Sequence, residues 1–366
     1  MPIYMDRHDL GEAVTAEAVA KVHQEDLKIQ DHYGCRGLTY WFDEKRGTAF
    51  CLIEAPEESA VKKMHNDAHG MLPNQIIEVD TKVVNAFLGR IEDPSDRSDE
   101  QNIISEPAHR TIMITCLPDA AVLPAKIGSD KARSFIGQHN NIIRKAIQQF
   151  NGREVKCMSG SFIVSFRSAA KGMQCAKEIQ TKMRVPIHHE QDFKIKIGIS
   201  TGSPVNKSYE LFGQTISLTE RLCNIAGCGQ IVISSEMKEE LAEELPSATD
   251  NTTRTLNPRN EKFLNNVFEI IDSMSNAADF NTSTFGKKLG LSKAQLYRNI
   301  VQLSGLSPNG FIKEYRLKKA VEAIGKQDGN VSEIAYQCGF TSPSYFSKCF
   351  LERFGILPSS LAASVS

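Results

Sequence analysis

Short apolar runs alternate with helix-like apolar spacing in the first 90 residues. The runs that predict strands are 2–6, 37–42, 48–54 and 75–79. Between them, apolar positions three and four apart predict helices over 15–33 and 57–69. The resulting order, β-α-β-β-α-β, predicts a ferredoxin-like domain over 1–90.

The segment 110–244 alternates in the same way and predicts an α/β domain. Its strand-like runs are 111–116, 154–158, 162–166, 193–199 and 230–233, and its helix-like stretches are 131–150, 168–183 and 215–226. The spacing over 262–366 is helical throughout, which predicts an all-α domain. Two polar stretches without an apolar face, 91–109 and 245–261, are predicted to be linkers. The fold class is therefore multidomain α+β.

Composition agrees with several packed domains and excludes other classes. A chain of 366 residues is longer than one core usually organises. No apolar stretch approaches the roughly 18 residues that a membrane helix needs, and MPIYMDRHDL is not a secretory signal. Nine cysteines without a CxxC pair predict reduced thiols in a cytoplasm. We therefore expect a cytoplasmic protein that is not associated with a membrane.

The net charge of −1 hides an asymmetry between the two ends. Residues 262–366 carry 12 Lys and Arg against 8 Asp and Glu, whereas residues 1–261 carry 31 against 36. A mildly basic C-terminal third on an acidic body permits nucleic-acid binding there.

The stretch TFGKKLGLSKAQLYRNIVQLS, residues 284–304, predicts a helix, a short turn and a second helix. Ser292 is placed to cap the second helix, whose inward face is Leu296, Ile300 and Leu303. A polar outward face on such a second helix is the geometry of a DNA-reading helix-turn-helix. The outward residues that we expect to contact DNA are Lys293, Gln295, Arg298 and Asn299, with Gln302 beside them.

The same pattern recurs in VSEIAYQCGFTSPSYFSKCFLERF, residues 331–354. Gly339 breaks its first helix, and Ser342 is placed to cap its second. Phe346, Phe350 and Phe354 form the apolar stripe of that second helix. The residues that we expect to contact DNA here are Ser342, Ser344, Tyr345 and Lys348. These side chains form fewer base-specific hydrogen bonds than the outward side chains of the first unit. The first unit is therefore predicted to discriminate between DNA sequences, and the second to position the protein on the DNA.

These two units resemble the DNA-binding domain of the AraC/XylS transcription regulators over about 100 residues. The ordered matches include Leu296-Tyr297-Arg298, Gly305-Leu306-Ser307-Pro308, Arg316-Leu317, Gly339-Phe340 and Phe354-Gly355 with Pro358. One departure is Ser359-Ser360-Leu361, where the family usually has an aromatic residue and an arginine. The resemblance implies binding to double-stranded DNA.

Residues 110–244 resemble the class III nucleotide cyclase homology domain in order and spacing. The resemblance implies a nucleotide-pocket remnant of Lys156, Glu210 and Arg221. The two aspartates that hold Mg²⁺ in cyclases are missing, because Thr115 and Cys116 end the first strand and the hairpin is Ser159-Gly160-Ser161. Hydroxyls and thiols do not replace hard carboxylates for Mg²⁺. We therefore predict no Mg²⁺-dependent catalysis and no enzyme, leaving a nucleotide-sensing pocket or a dimerising scaffold as alternatives.

Histidines are concentrated in the first domain. His65 and His69 are one helical turn apart, so both imidazoles can face one ion, and His23 shares a helix face with Asp26. Weaker ligand candidates are His8, Asp26, Cys35 and Cys51. Imidazole-rich sites suit Ni²⁺, Zn²⁺ or Cu²⁺, and solvated histidines are the alternative.

MPIYMDRHDL, AFCLIEAP and the His-rich helix before LPNQIIEV resemble a small nickel-binding-type family with a ferredoxin-like fold. The resemblance implies nickel or another transition metal without fixing the ligands. Together, the three segments predict a homodimeric transcription regulator whose preceding domains sense a metal or nucleotide effector or dimerise. The alternatives are a nucleotide cyclase fused to a DNA-binding domain and a metal-storage protein.

Overall fold

The computed structural model describes residues 1–11, 13–94, 103–158, 160–183, 195–206, 208–244 and 253–365. Ser159, the middle of the first predicted linker, the first half of the second and the start of the strand predicted at 193–199 lie outside these residues. In the described parts, no helix is both long enough and apolar enough to span a bilayer.

The first domain has the predicted order of strands and helices, followed by one more helix. Its elements are β1 (Ile3–Asp9), α1 (Ala16–Ile29), β2 (Arg36–Asp43), β3 (Thr48–Glu54), α2 (Glu58–His69), β4 (Gln75–Glu78) and α3 (Thr81–Leu88). The sheet is antiparallel with the order β2-β3-β1-β4, and α1 and α2 cover one face. This is the expected ferredoxin-like arrangement, with a 3₁₀ turn at Gln30–Tyr33 ending the first helical stretch.

The second domain is a six-stranded mixed sheet covered by helices. Its elements are β5 (Arg110–Cys116), α4 (Leu123–Ile127), α5 (Ser129–Gln149), β6 (Arg153–Met158), β7 (Ser161–Phe166), α6 (Ala169–Met183), β8 (Lys196–Gly202), α7 (Gly213–Ile225), β9 (Ile231–Ile233), α8 (Ser235–Glu244) and β10 (Thr253–Thr255). The strand order is β10-β9-β8-β5-β7-β6. Strands β5 to β8 pair antiparallel, and β9 pairs parallel with both β8 and β10.

The first two domains share one apolar core. Helix α3 contributes Phe87, whose ring lies 4.9 Å from that of Phe212 in the second domain. Trp41 of the first sheet and Ile112 of the second belong to the same buried cluster. Part of the predicted linker 91–109 is also packed, since Ile104 is 1% exposed. The expectation of an unpacked segment there is wrong for residues 103–109, because a few apolar side chains suffice to bury a segment that is polar on average.

The third domain contains only helices. They are α9 (Pro258–Met274), α10 (Thr282–Lys288), α11 (Lys293–Ser304), α12 (Pro308–Lys326), α13 (Val331–Gln337), α14 (Pro343–Phe354) and α15 (Pro358–Val365). The second predicted linker, 245–261, contains β10 and the beginning of α9. Leu256 between them is 3% exposed, and the Asn257 side chain accepts a hydrogen bond from the Asn260 amide as the N-cap of α9. An Asn-Pro pair is a helix start signal, so the polarity of this stretch reflects capping.

Candidate functional site

Two helix-turn-helix units lie in the third domain, and their caps repeat. Asn281 and Asn330 begin α10 and α13, each through a reciprocal capping box. Ser292 and Ser342 begin α11 and α14, with the serine oxygens accepting from the amides of Gln295 (3.3 Å) and Tyr345 (3.2 Å). Both serine caps are where the sequence predicts them.

Helix α11 presents most of the residues predicted to contact DNA. Lys293 and Arg298 are exposed, and Asn299 is half-buried. Gln295 is exposed, but its side-chain oxygen accepts a 3.0 Å hydrogen bond from the Ser292 amide. Ser-x-x-Gln is itself a capping-box pattern, so the sequence held a signal that Gln295 serves the helix start.

Helix α14 presents a shorter and less basic set. Ser344 and Lys348 are exposed, and Tyr345 is 52% exposed. Ser342 is half-buried at the cap. The stripe of phenylalanines on the opposite face is buried as predicted: Phe346, Phe350 and Phe354.

Helix α12 fixes the two units relative to each other. Its Arg316 donates hydrogen bonds to the carbonyl oxygens of Ser275 (2.8 Å), Ala277 (2.9 Å) and Phe280 (3.1 Å) at the turn before α10. Gly339 has a φ of 79°, and a Cβ there would lie 2.4 Å from the Ser275 oxygen. Only glycine therefore allows the turn of the second unit to approach the first this closely.

Two residues of the predicted nucleotide remnant line a cavity of about 510 Å³ in the second domain. Glu210 is exposed at its edge, and Arg221 donates a 2.6 Å hydrogen bond to Asn265 of α9. Lys156 is exposed on β6 and is not among the residues that line it. The carboxylates around the cavity repel phosphate: Glu210, Glu236, Glu261 and Glu269.

Thr115, Cys116 and Gly160, the described residues where the resemblance led us to expect the Mg²⁺ ligands of cyclases, have no carboxylate. Thr115 is buried, and its hydroxyl accepts a hydrogen bond from the Phe162 amide at 3.2 Å. Gly160 has a φ of 81°, and a Cβ there would lie 3.3 Å from the Leu117 side chain. An aspartate at position 160 would therefore be strained in this conformation.

A buried polar cluster forms between β1, α1 and α2 of the first domain. His65 Nε2 lies 2.7 Å from Asp6 Oδ2, and its Nδ1 lies 3.0 Å from Asp26 Oδ1. His69 Nε2 lies 3.1 Å from the same Asp26 oxygen and 3.2 Å from His65 Nδ1. The structure thus unites the predicted His65 and His69 with Asp26. It adds Asp6, which the sequence analysis missed.

The other predicted ligand residues lie around this cluster. His8 Nε2 is 3.5 Å from Asp6 Oδ1, and the Cys51 amide donates to that oxygen at 3.0 Å. His23 points elsewhere, with its Nε2 3.5 Å from Asp93, although it lines the same cavity of about 170 Å³ as His65 and His69. The Cys35 thiol is 3.7 Å from the Tyr33 carbonyl oxygen. The structure therefore groups His8 and Cys51 around Asp6, and separates His23 and Cys35.

Opposite charges set the protonation of the cluster. Burial would lower the pKa of His65, but the Asp6 charge and hydrogen bonds to Asp26 and Asp6 raise it to about 10. Burial disfavours the Asp6 carboxylate, yet His8 and His65 hold its pKa well below its usual range. His65 is therefore an imidazolium between two carboxylates at neutral pH.

Three family models match successive segments. Residues 4–79 match the nickel responsive protein SCO4226-like family, residues 108–278 match the adenylate and guanylate cyclase catalytic domain, and residues 285–364 match a helix-turn-helix domain. The matched segments follow the three domains of the structure in order.

The relatives match parts of the chain. The Escherichia coli (strain SE11) activator RhaS is 32% identical over 82 residues, or 22% of this chain and 30% of RhaS. Histidine kinase P4 of Formosa agariphila is 40% identical over 106 residues, or 29% of this chain and 8% of that kinase. The chain therefore spans less than a third of these curated relatives.

One solved structure is similar to about a fifth of the chain. SCO4226 from Streptomyces coelicolor A3(2) is 31% identical, with 21% of this chain and 94% of that chain covered at a TM-score of 0.20. The chain thus joins three domains that are similar, in order, to the SCO4226-like family, the adenylate and guanylate cyclase catalytic domain and a helix-turn-helix domain.

Proposed function

We propose that this protein is a sequence-specific transcription regulator that binds double-stranded DNA through α11 and α14. The observation that carries this proposal is the pair of serine-capped helices with exposed outer faces, held in one orientation by Arg316 and Gly339. Two such helices reach major-groove segments about one turn, or roughly 34 Å, apart.

The chemistry of the outer faces assigns different roles to the two helices. Arg298 matches the acceptors of guanine, and Asn299 matches the edge of adenine. Lys293 and Lys348 contact phosphates, and Tyr345 and Ser344 add positioning contacts. The side-chain oxygen of Gln295 accepts a hydrogen bond from the Ser292 amide at the start of α11. Capping of this helix is therefore the main role of Gln295, and DNA recognition is secondary.

The test is selection of DNA from a random pool by the full chain. We expect an enriched motif with two half-sites about one helical turn apart, and loss of the motif at one half-site in the Arg298→Ala variant. A matched control is Lys326→Ala, at the far end of α12. A pool without enrichment, or an unchanged motif in Arg298→Ala, would contradict the assignment.

The first domain supports a second role, the binding of a transition metal. Asp26 Oδ1, His65 Nδ1 and His69 Nε2 lie 3.0 to 3.2 Å apart in pairs. Ligand atoms 2.0–2.1 Å from a tetrahedral ion are separated by about 3.3 Å, so these three atoms fit such an ion. Asp6 on the other nitrogen of His65 supplies the carboxylate that commonly orients a ligating histidine.

This donor set fits Ni²⁺, Zn²⁺ or Cu²⁺ better than Mg²⁺, because two imidazoles take part. Metal binding would require loss of the proton between His65 and Asp26, so the affinity for the metal is expected to rise with pH up to the His65 pKa of about 10. Calorimetry with Ni²⁺ and Zn²⁺ on the full chain tests this. We expect the site to be lost in a His65→Ala/His69→Ala variant and kept in His32→Ala, whose side chain is exposed. Equal affinity in both variants would refute it.

The second domain is proposed to lack cyclase activity and to connect the sensing and DNA-binding domains. The proposed lack of activity rests on Thr115, Cys116 and Gly160, none of which has a carboxylate. The proposed connection rests on the hydrogen bond from Arg221 to Asn265 of α9. Without bound Mg²⁺, the charge that develops during phosphoryl transfer is not neutralised. Cyclic nucleotide formed from ATP or GTP above a heat-treated control, with Mg²⁺ or Mn²⁺, would overturn this proposal.

A further inference from the structure

Two cysteines lie together where the second domain meets the DNA-binding domain. Cys116 is the last residue of β5 and pairs with Lys196 of β8. Cys223 of α7 lies above this pair, and its thiol donates to the Lys196 carbonyl oxygen at 3.6 Å. Both cysteines line the cleft at this boundary. Cys223 is 3% exposed, whereas Cys116 is half-buried.

Cys116 lines a cleft of about 1200 Å³ between the cyclase-type sheet and helix α12. Lys196 and Lys318 line the same cleft, and the Lys318 ammonium donates a hydrogen bond to Asn224 at 3.3 Å. Small solutes therefore reach a thiol that has two lysines and a second thiol around it. Cys223 lines the same cleft but is buried, so Cys116 is the more accessible of the two thiols.

This environment favours the thiolate of Cys116. Contact with the Cys223 thiol lowers the Cys116 pKa despite burial, and the charges of Lys318 and Lys196 add to the effect, for a pKa of about 6. The same contact raises the pKa of the Cys223 thiol, since burial and the Cys116 charge both disfavour a second thiolate. The pair thus separates into a nucleophile and a proton donor.

We propose that Cys116 is a peroxide-reactive thiol and that Cys223 converts its oxidised form to a disulfide inside the interdomain cleft. In the first step the Cys116 thiolate attacks a hydroperoxide, forming an S–O bond and breaking the O–O bond, with water or an alcohol as the leaving product after protonation. In the second step the Cys223 sulfur displaces hydroxide from the Cys116 sulfenic acid, and the departing proton and hydroxide form water. The two thiols together supply the two electrons that reduce the peroxide.

The disulfide removes a negative charge from a cleft that Lys196 and Lys318 also line. The repulsion between Lys196 of the second domain and Lys318 of the DNA-binding domain is then no longer offset by the thiolate, which weakens the docking of α12 on α7. Oxidation thereby acts on the domain that carries the DNA-reading helices, whether or not those helices have the proposed DNA specificity.

The chemistry is tested first by peptide mapping of the full chain after treatment with hydrogen peroxide and alkylation of the remaining thiols. We expect a peptide that joins Cys116 to Cys223, reversible by a dithiol reductant. In Cys223→Ser, which keeps a hydrogen-bonding hydroxyl, dimedone should label Cys116. Cys228→Ser is the matched control, because Cys228 is exposed just beyond the end of α7. Peroxide that leaves Cys116 unmodified, or joins it to another cysteine, would overturn the proposal.

A second measurement, on the unmutated chain, is the pH profile of iodoacetamide alkylation. The rate at Cys116 should level off above pH 7, whereas an ordinary thiol with a pKa near 8.5 continues to accelerate. The profile is more informative than the rate at pH 7, because a thiolate of low pKa is also a weaker nucleophile. Lys318→Met should shift the Cys116 profile to higher pH. A Cys116 rate that rises tenfold per pH unit through pH 8 would refute the assignment.

Discussion

The two helix-turn-helix units have the same local design but different attachments to the rest of the protein. The core of the first unit is continuous with α9 and with Leu222 and Val232 of the second domain. The core of the second unit includes only Val122 among the fully buried residues of that domain. An ionic contact compensates, since Arg353 of α14 pairs with Asp119 at 2.9 Å and with Glu314 of α12 at 2.7 Å.

This difference teaches that similar motifs in one chain need not move alike. An apolar core that crosses a domain boundary resists separation, because parting the domains exposes its whole surface to water. A half-buried ion pair separates at lower cost and depends on salt. We therefore expect the second domain to move with the first unit, and the second unit to respond more to ionic conditions.

The largest effect is expected from truncating the shared core. Phe268 of α9 is 6% exposed and lies 5.8 Å, ring to ring, from Phe311 of α12. Phe268→Ala should lower the free energy of unfolding by about 3–5 kcal/mol and increase amide exchange in α7 as well as α11. Phe350→Ala should cost a similar amount but increase exchange mainly in α13 and α14.

Exchange measured by mass spectrometry together with chemical denaturation checks this pair, with Leu351→Ala as a control because Leu351 is 45% exposed. Equal protection of α7 in both phenylalanine variants would remove the contrast between the two attachments.

Next in size is the expected difference in DNA recognition. Arg298→Ala should cost about 1–3 kcal/mol on the selected site and little on scrambled DNA. Lys348→Ala should weaken binding to both sequences and reduce the slope of affinity against salt by about one. Salt-titrated binding isotherms on both DNAs measure this. Identical losses on the two sequences in both variants would mean that the units do not divide these roles.

A smaller effect is expected from Arg353→Gln. The substitution leaves Asp119 and Glu314 facing a neutral amide, at a cost of about 1 kcal/mol for a half-buried pair. At low salt, the protection of α14 amides from exchange in the variant should fall toward the level that the parent protein shows at high salt. The reason is that high salt screens the same ionic contact in the parent protein. Amide exchange at low and high salt makes the comparison. Full retention of α14 protection at low salt would show that the ionic contact does not hold the second unit.

The smallest effects concern the caps. Ser292→Ala and Ser342→Ala should each cost about 1 kcal/mol of stability. The Ser292 variant keeps the backbone amide that donates to the Gln295 side chain, so it loses only the serine cap, and Ser344→Ala serves as a neutral control two residues beyond the second cap. Thermal unfolding of the three variants provides the ranking, and a Ser344→Ala loss equal to the others would contradict the assigned caps.

Local signals predicted much of this structure. The caps at Ser292 and Ser342 and the phenylalanine stripe of α14 depend on residues within one or two helical turns, which the sequence displays directly. The positions of most strands along the chain follow from apolar periodicity for the same reason, whereas their order within each sheet depends on pairing between distant segments. The sequence analysis did not predict helix α3. Its Phe87 and Leu88 bury their side chains against another domain, and apolar periodicity gives no information about contacts between domains.

The polar sites were predicted less completely. His65 and His69 are one turn apart on α2, so their proximity was visible, but Asp6 joins them from a strand 59 residues earlier. The same limit applies to His23, which lies on the predicted face of α1 yet is directed toward Asp93. Contacts between distant elements depend on the packing of the whole domain, and helix spacing alone does not specify that packing.

The core that the first two domains share has a practical and evolutionary consequence. A fragment cut at residue 90 would carry α3 with Val84, Phe87 and Leu88 turned outward, and the first sheet would lose the partner of Trp41. Such a fragment exposes an apolar surface patch and should therefore aggregate on expression. Where this apolar face is kept, the two domains are therefore expected to be inherited together, whereas a first domain that occurs alone is expected to have a polar face there.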